Sequence, residues 1–360
     1  GEKRVNKKFR LSLQPKKIQN IGIMVTDQSI SEDYDRHLVS EDEKYTKCTP
    51  EEQDEIYKSL GTRGVTLDLL INWGDLYHTK KRITCGRINL KLLYHLQKPL
   101  KDLRSMIGLE KFKASVIEQI LMCLQGLHRH PNKNNDEMFH TVIYGPPGVG
   151  KTQLARILGH IYIAMGLIYK RPIDLNNFKL DDYFETASRS DLIGMFCGHT
   201  AVQTQKIIDN CRKKGKVLFI DETYSLGDKE GRDNFSKECI DTINSNLTDG
   251  AGEFICIIAG YPEDIKKCFF AHNKGLERRF NFRYTVDKYS PAELLDIFRL
   301  KLKEGGWELL NDQVVTSKLF EDNQDYFTNC GGDIVAFLTK CRIVYSNRIF
   351  FLQGTPDRKL

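Results

Sequence analysis

No apolar run in the 360-residue chain approaches the roughly 20 residues that cross a bilayer; the longest, such as Phe254–Ala259, suit a short buried strand. A membrane-spanning helix is therefore not expected. The basic residues Lys3, Arg4, Lys7, Lys8 and Arg10 are followed by no apolar h-region, so a secretory signal is not expected either. No C-x-x-C pair occurs among the 10 cysteines, which are scattered singly and in several cases lie inside apolar runs, where a free thiol packs as a small hydrophobe. That pattern argues against a disulfide scaffold and points to reduced thiols in an intracellular compartment. His128 and His130, near Cys123, fit no standard zinc spacing. A strong excess of one charge is missing too. The net charge of +6 is below that of a dedicated nucleic-acid binder. Internal repeats and low-complexity tracts are absent, which excludes solenoids and fibrous chains.

What is present is ordinary globular composition, 40% hydrophobic and 28% charged, in a chain long enough for two or three domains. Residues 1–104 show no clear period. They are basic to Lys17 and acidic from Glu32 to Glu55, with short ordered pieces expected at Val65–Tyr77 and Ile88–Leu96. Residues 105–286 alternate amphipathic helical patterns with short apolar strands, the signature of βαβ units and a parallel sheet. The expected strands are Thr141–Tyr144, Tyr183–Ala187, Val217–Ile220 and Phe254–Ala259. Residues 287–360 read as helices. Ser290-Pro291-Ala292-Glu293 is a capping box with proline at the first helical position, and Gly305-Gly306 supplies the stop.

The strongest chemical signal is Gly145-Pro146-Pro147-Gly148-Val149-Gly150-Lys151-Thr152, a full G-x-x-x-x-G-K-T phosphate loop. An apolar strand precedes it, and Leu154, Ile157, Leu158, Ile161 and Met165 follow at helical spacing. Glycines let consecutive backbone N–H groups turn toward one anionic centre, and the helix N-terminus adds its dipole. Lys151 can then reach the β- and γ-phosphates while the Thr152 hydroxyl ligates Mg²⁺. The residues expected to bind nucleotide here are Gly145 through Thr152, with Leu154 on the helix. About 70 residues downstream, Val217–Ile220 ends in Asp221-Glu222. A buried strand ending in two carboxylates suits the carboxyl edge of an open α/β sheet, where ligands bind. Asp221 would hold Mg²⁺ and Glu222 would polarise the attacking water.

The order of Ser188–Ala201, Val217–Leu226, Ile258–Pro262 and Gly275–Phe280 resembles the AAA+ ATPases, in particular the group containing red-type Rubisco activases and the sporulation stage V protein K. More weakly, it is similar to AAA ATPases of large DNA viruses. The resemblance covers roughly residues 103–345. It implies a P-loop AAA+ core of the α/β class with a parallel sheet (103–286), a C-terminal helical lid (287–360) and an N-terminal extension of unknown role (1–102). It also implies that Ile107 and Gly108 border the adenine, that Glu222 is the base, and that Arg279 or its neighbour Arg278 is the finger entering the next subunit's site. Phe196 stands where the family places an aromatic pore-loop residue; its plain alternative is a buried phenylalanine. Two departures stand out. Gly331-Gly332-Asp333-Ile334 occupies the place of the family's lid arginine motif, leaving Lys340 or Arg342 as substitutes, and Gly260-Tyr261 stands where a polar sensor is expected.

The expectation is a ring-forming, Mg²⁺-dependent ATPase, a homo-oligomer of hexameric type, that remodels a macromolecular client, protein in the first instance. The alternative is a nucleic-acid-handling ATPase of helicase or loader type, for which the basic segment Lys3–Lys17 is the support. Intact Lys151, Asp221 and Glu222 argue against a non-hydrolysing scaffold. An intracellular, cytoplasmic setting is expected, the host cytoplasm if the source is viral.

Overall fold

The computed structural model describes residues 45–60, 64–128, 138–171, 173–195, 198–227, 233–273, 275–311, 313–350 and 358–360. Within Thr46–Leu360, which forms one compact unit, the chain first builds a small module of strand β1 (Thr46–Lys47), helices α1 (Pro50–Ser59) and α2 (Leu67–Thr79), strands β2 (Arg82–Cys85) and β3 (Ile88–Asn89), and helix α3 (Leu90–Ser105). The α/β layer follows with α4 (Glu110–Leu124), β4 (Thr141–Tyr144), α5 (Lys151–Ala164), α6 (Leu180–Tyr183), β5 (Phe184–Ala187), α7 (Arg189–Leu192), α8 (His199–Lys214), β6 (Val217–Ile220), α9 (Asn234–Asp249), β7 (Ile255–Gly260), α10 (Pro262–Cys268) and β8 (Phe282–Thr285). Helices α11 (Pro291–Glu304), α12 (Ser317–Asp322) and α13 (Gly331–Ile349) complete it. No described helix is long and apolar enough to cross a membrane.

The main sheet has five strands in the order β5-β6-β7-β4-β8, all parallel. Strands β6 and β7 are buried along their whole length, which is why they read as unbroken apolar runs rather than alternating ones. Chain order reverses around β4: the next strand in sequence goes to the far edge, and the last returns to the other side of β4. That is the switch point at which the carboxyl ends of the strands leave a crevice. The fifth strand, Phe282–Thr285, was not expected. Its burial alternates and it includes Arg283, so only its pairing with β4 makes it a strand.

The N-terminal module is more ordered than its charge blocks imply. Thr49 and Glu52 form a capping box that starts α1 inside the acidic stretch. Helix α3 presents the fully buried Leu90, Leu93, Leu96, Leu100 and Leu103, and packs between α2 and the phosphate-loop helix α5. The α2–α3 crossing is close: a Cβ on Gly74 would stand 2.8 Å from the Leu93 carbonyl. In the C-terminal helices, Phe298, Phe320, Phe327 and Phe337 stack into one aromatic cluster. Ser290 caps α11 as the sequence predicts, with both capping-box bonds formed.

Candidate nucleotide site

Strand β4, held between β7 and β8, delivers the glycine-rich loop to the crevice. Gly148 and Gly150 take φ of +73° and +86°, a region costly for any residue with a Cβ. Gly150 caps α5 without a side chain, so no side-chain oxygen occupies the first-turn N–H groups. Those donors and the helix dipole form an anion cradle. Lys151 lies along the loop, its Nζ donating to the carbonyls of Gly145 (3.1 Å) and Pro146 (2.8 Å). Burial pulls its pKa below the usual lysine range, against the opposing pull of Asp221 and Glu222. The Tyr261 ring lies 5.8 Å from the same ammonium, in the position where a polar sensor was expected.

The two motifs meet in space. The Thr152 hydroxyl donates to Asp221 Oδ2 at 2.9 Å, across 69 residues of sequence. Two hard oxygen donors side by side suit Mg²⁺. Asp221 Oδ1 in turn accepts the Glu222 N–H at 2.9 Å. Glu222 itself is left-handed (φ +47°), an uncommon conformation for a non-glycine residue that the following turn enforces. In that turn the Ser225 N–H donates to the Glu222 carbonyl (2.8 Å) and the Thr223 hydroxyl to the Ile220 carbonyl (2.8 Å). Tyr224 lies against Glu222 as well; burial first, then the Glu222 charge and a hydrogen bond to it, raise the phenol's pKa. A cleft of about 630 Å³ opens beside the carboxylates, lined by Thr186, Arg189, Ile193, Asp221, Glu222 and Ser225 among others.

The C-terminal segment touches the loop at its backbone carbonyls. The Gly331 N–H donates to the Gly148 carbonyl at 3.0 Å, and the Tyr289 hydroxyl donates to the Val149 carbonyl at 3.1 Å. A Cβ on Gly148 would collide with the Asn329 carbonyl. So the Gly331-Gly332 pair brings a helix start onto the phosphate loop. Arg342 is spent elsewhere, over the Trp307 ring at 5.5 Å, and Lys340 is exposed. Ile107 and Gly108 lie beside the first turn of α11, where a Cβ on Gly108 would collide with the Glu293 carboxylate. The Leu154 side chain is fully buried, and its N–H donates to the Gly150 carbonyl at 2.9 Å.

Not every candidate gathers here. Arg278 and Arg279 precede β8, at the amino edge of the sheet, whereas Lys151 follows the carboxyl end of its partner β4. A four-residue strand, roughly 13 Å, separates the two edges. Arg278 is exposed; Arg279 bonds the Thr248 hydroxyl (2.7 Å) and the Gly275 carbonyl (2.6 Å). Phe196 lies outside the described residues. Sequence reasoning assigned no role to Tyr224, Tyr261, Tyr289 or Arg189, although all but Tyr289 lie in the segments that carry the resemblance. Their contacts are made only in the fold.

A phosphate loop at a switch point, facing a strand that ends in two carboxylates, defines a nucleoside-triphosphate hydrolase of the P-loop class. Residues 141–284 match the AAA family, the ATPase family associated with various cellular activities. A cfxQ-like protein of Acanthamoeba polyphaga mimivirus is 43% identical over 288 residues, 80% of this chain and 67% of that protein. Stage V sporulation protein K of Bacillus subtilis is 31% identical over 227 residues, 61% of this chain and 66% of that one. The chloroplastic ribulose bisphosphate carboxylase/oxygenase activase of Cyanidioschyzon merolae is 28% identical over 274 residues, 74% of this chain and 86% of that one. The chain thus spans about two thirds of the first two relatives. It belongs to the AAA family of ATPases and carries that family's ATP-hydrolysing domain.

Proposed function

We propose that this ATPase works as a Mg²⁺-dependent, ring-forming homo-oligomer, hexameric as its family resemblance implies, and that it remodels a protein client. The observation that carries the catalytic part is the Thr152–Asp221 contact, which joins the phosphate loop to the carboxylate strand with Glu222 next in line. Backbone N–H groups of the loop hold the phosphates, and the Lys151 ammonium takes the β- and γ-oxygens in exchange for the loop carbonyls it now bonds. Thr152 and Asp221 would hold Mg²⁺, which supplies neutralisation of phosphate charge when bound. Glu222 accepts a proton from the attacking water, its carboxylate held by the left-handed backbone and by Tyr224. Ile107 and Gly108 border the base.

The position of Arg278 and Arg279 supports assembly, because they lie at the wrong edge of the sheet for their own site and serve a neighbour's. The protein client is supported by the relatives: one is by name an activase of ribulose bisphosphate carboxylase/oxygenase, itself a protein. Phe196 in the pore is part of the same reading.

Two variants test it. Lys151→Ala should lose nucleotide binding. Glu222→Gln should keep ATP while turnover falls about 10²- to 10⁴-fold, and a pulldown in ATP should hold a protein client. Equal ATP affinity in Lys151→Ala would sink the phosphate-loop reading; capture of nucleic acid alone would favour the helicase or loader alternative.

A further inference from the structure

Arg189 opens α7, the short helix that leads out of β5, and its guanidinium reaches three groups at once. One nitrogen donates to the Ser225 carbonyl at 2.5 Å and to the Ser236 hydroxyl at 3.2 Å; the other pairs with Asp233 at 2.8 Å. Asp233 is the cap of α9, accepting the Phe235 N–H (3.0 Å) and the Ser236 hydroxyl (2.5 Å). Although burial alone would raise it, the Ser236 hydroxyl, Arg189 and the two N–H groups together hold the Asp233 carboxyl at about 2, so the ion pair survives throughout the working pH range. Ser225 is the residue whose N–H holds the Glu222 carbonyl. The same turn is fixed on its other side, where a Cβ on Gly227 would collide with the Cys268 carbonyl of α10.

We propose that Arg189 is a positioning residue for hydrolysis: through the Ser225 carbonyl it holds the turn that presents Glu222, and it ties that turn to α7 and α9. The guanidinium suits this task because a planar fork can hold a carbonyl and a carboxylate together, as an ammonium cannot. The partners of its guanidinium are all protein groups. Arg189 acts through Ser225, and it links the segment leading to residue 196 with the water-activating carboxylate. The proposal rests on the reading of Glu222 as the base, so the test separates the two.

The measurements are ATP affinity by fluorescent-nucleotide titration, kcat and KM at saturating Mg²⁺, and a thermal melt, on Arg189→Gln, Arg189→Lys and Glu222→Gln. Arg189→Gln should lower kcat about 10- to 100-fold, the scale of loss from a catalytic group misplaced by an ångström, with ATP affinity within about twofold of the parent. Arg189→Lys should recover part of kcat by restoring one contact. Added to Glu222→Gln, Arg189→Gln should cost no further turnover, because there is no base left to position. Unchanged kcat in Arg189→Gln, or a parallel fall of kcat, affinity and melting temperature in both Arg189 variants, would overturn the proposal. Wild-type turnover in Glu222→Gln would instead overturn the reading beneath it.

Discussion

The two edges of the central sheet are built to opposite ends. At the carboxyl edge, donors are left free of side-chain caps, Thr152 and Glu222 are exposed, and Glu222 is held in an uncommon backbone conformation. At the amino edge the polar groups His140 and Lys216 are closed inward. His140, just before β4, is fully enclosed, its ring accepting the Cys256 N–H (3.0 Å) and bonding the Leu247 carbonyl (3.1 Å). Arg279 bonds Thr248 and Gly275 nearby, and Arg278 beside it is exposed. One edge is open for a ligand. The other is a finished piece of core with an arginine on its rim, which makes sense if that rim meets another subunit.

The sharpest way to break this contrast is to remove the rim arginines. With a finger supplied in trans, R278A/R279A subunits should bind ATP normally yet turn over about 10³- to 10⁵-fold more slowly, equivalent to about 4–7 kcal/mol of barrier. Mixing them with Lys151→Ala subunits should restore part of the activity, because intact fingers then meet intact sites. Of the single variants, Arg278→Ala is expected to cost more, since Arg279 is already bonded within its own subunit. Normal turnover in the double variant, read in a coupled ATPase assay, would remove the amino edge from the mechanism.

The sealed character of the amino edge makes a smaller prediction about pH. Burial lowers the His140 pKa to about 4, and burial likewise lowers that of His160 to about 4. Both are therefore neutral in the fold but ordinary in the unfolded chain. A folded pKa below the unfolded one means stability is complete above about pH 6.5 and is lost as pH falls toward 4. Between pH 7 and pH 5 the loss should be up to about 2 kcal/mol for His140. Urea midpoints at the two pH values measure it, and identical midpoints would show that this edge is not closed to protons.

At the carboxyl edge a single methyl should suffice. Gly148→Ala places a Cβ against the Asn329 carbonyl at a left-handed position, which costs about 1–2 kcal/mol and pushes α13 off the loop. Nucleotide affinity should weaken about 5- to 30-fold by fluorescence titration. Gly332→Ala is the control, because a Cβ there meets nothing within 4 Å. Equal effects of the two would mean that the loop and the C-terminal helices do not depend on each other.

Much of this edge was legible in advance. Strands β4 and β6 coincide with their expected bounds, β5 and β7 lie within a residue of theirs, and the Ser290 capping box starts α11 as read. The N-terminal module shows what was readable but passed over. Thr49-Pro50-Glu51-Glu52 carries the same cap logic as Ser290-Pro291-Ala292-Glu293, yet it lies inside an acidic block, and charge density hid the helix start. Other features had no local signature. Arg283 in β8 and the bonds of Arg189 depend on neighbours dozens of residues away.

The chain's own order of residues determined the parts that act over a few positions. Glycines at the loop permit left-handed backbone, unbroken apolar runs seek the centre of a sheet, and Asp221-Glu222 must sit where such a run ends. These are consequences of local sterics and burial, and they hold before any strand has a neighbour. The tertiary structure alone decided which ends meet. Because β4 lies between β7 and β8, with β6 one strand further on, Thr152 reaches Asp221, Gly331 reaches Gly148, and Arg278 and Arg279 are carried to the opposite edge. Strand order is set by the packing of the whole sheet, and no short stretch of sequence contains it.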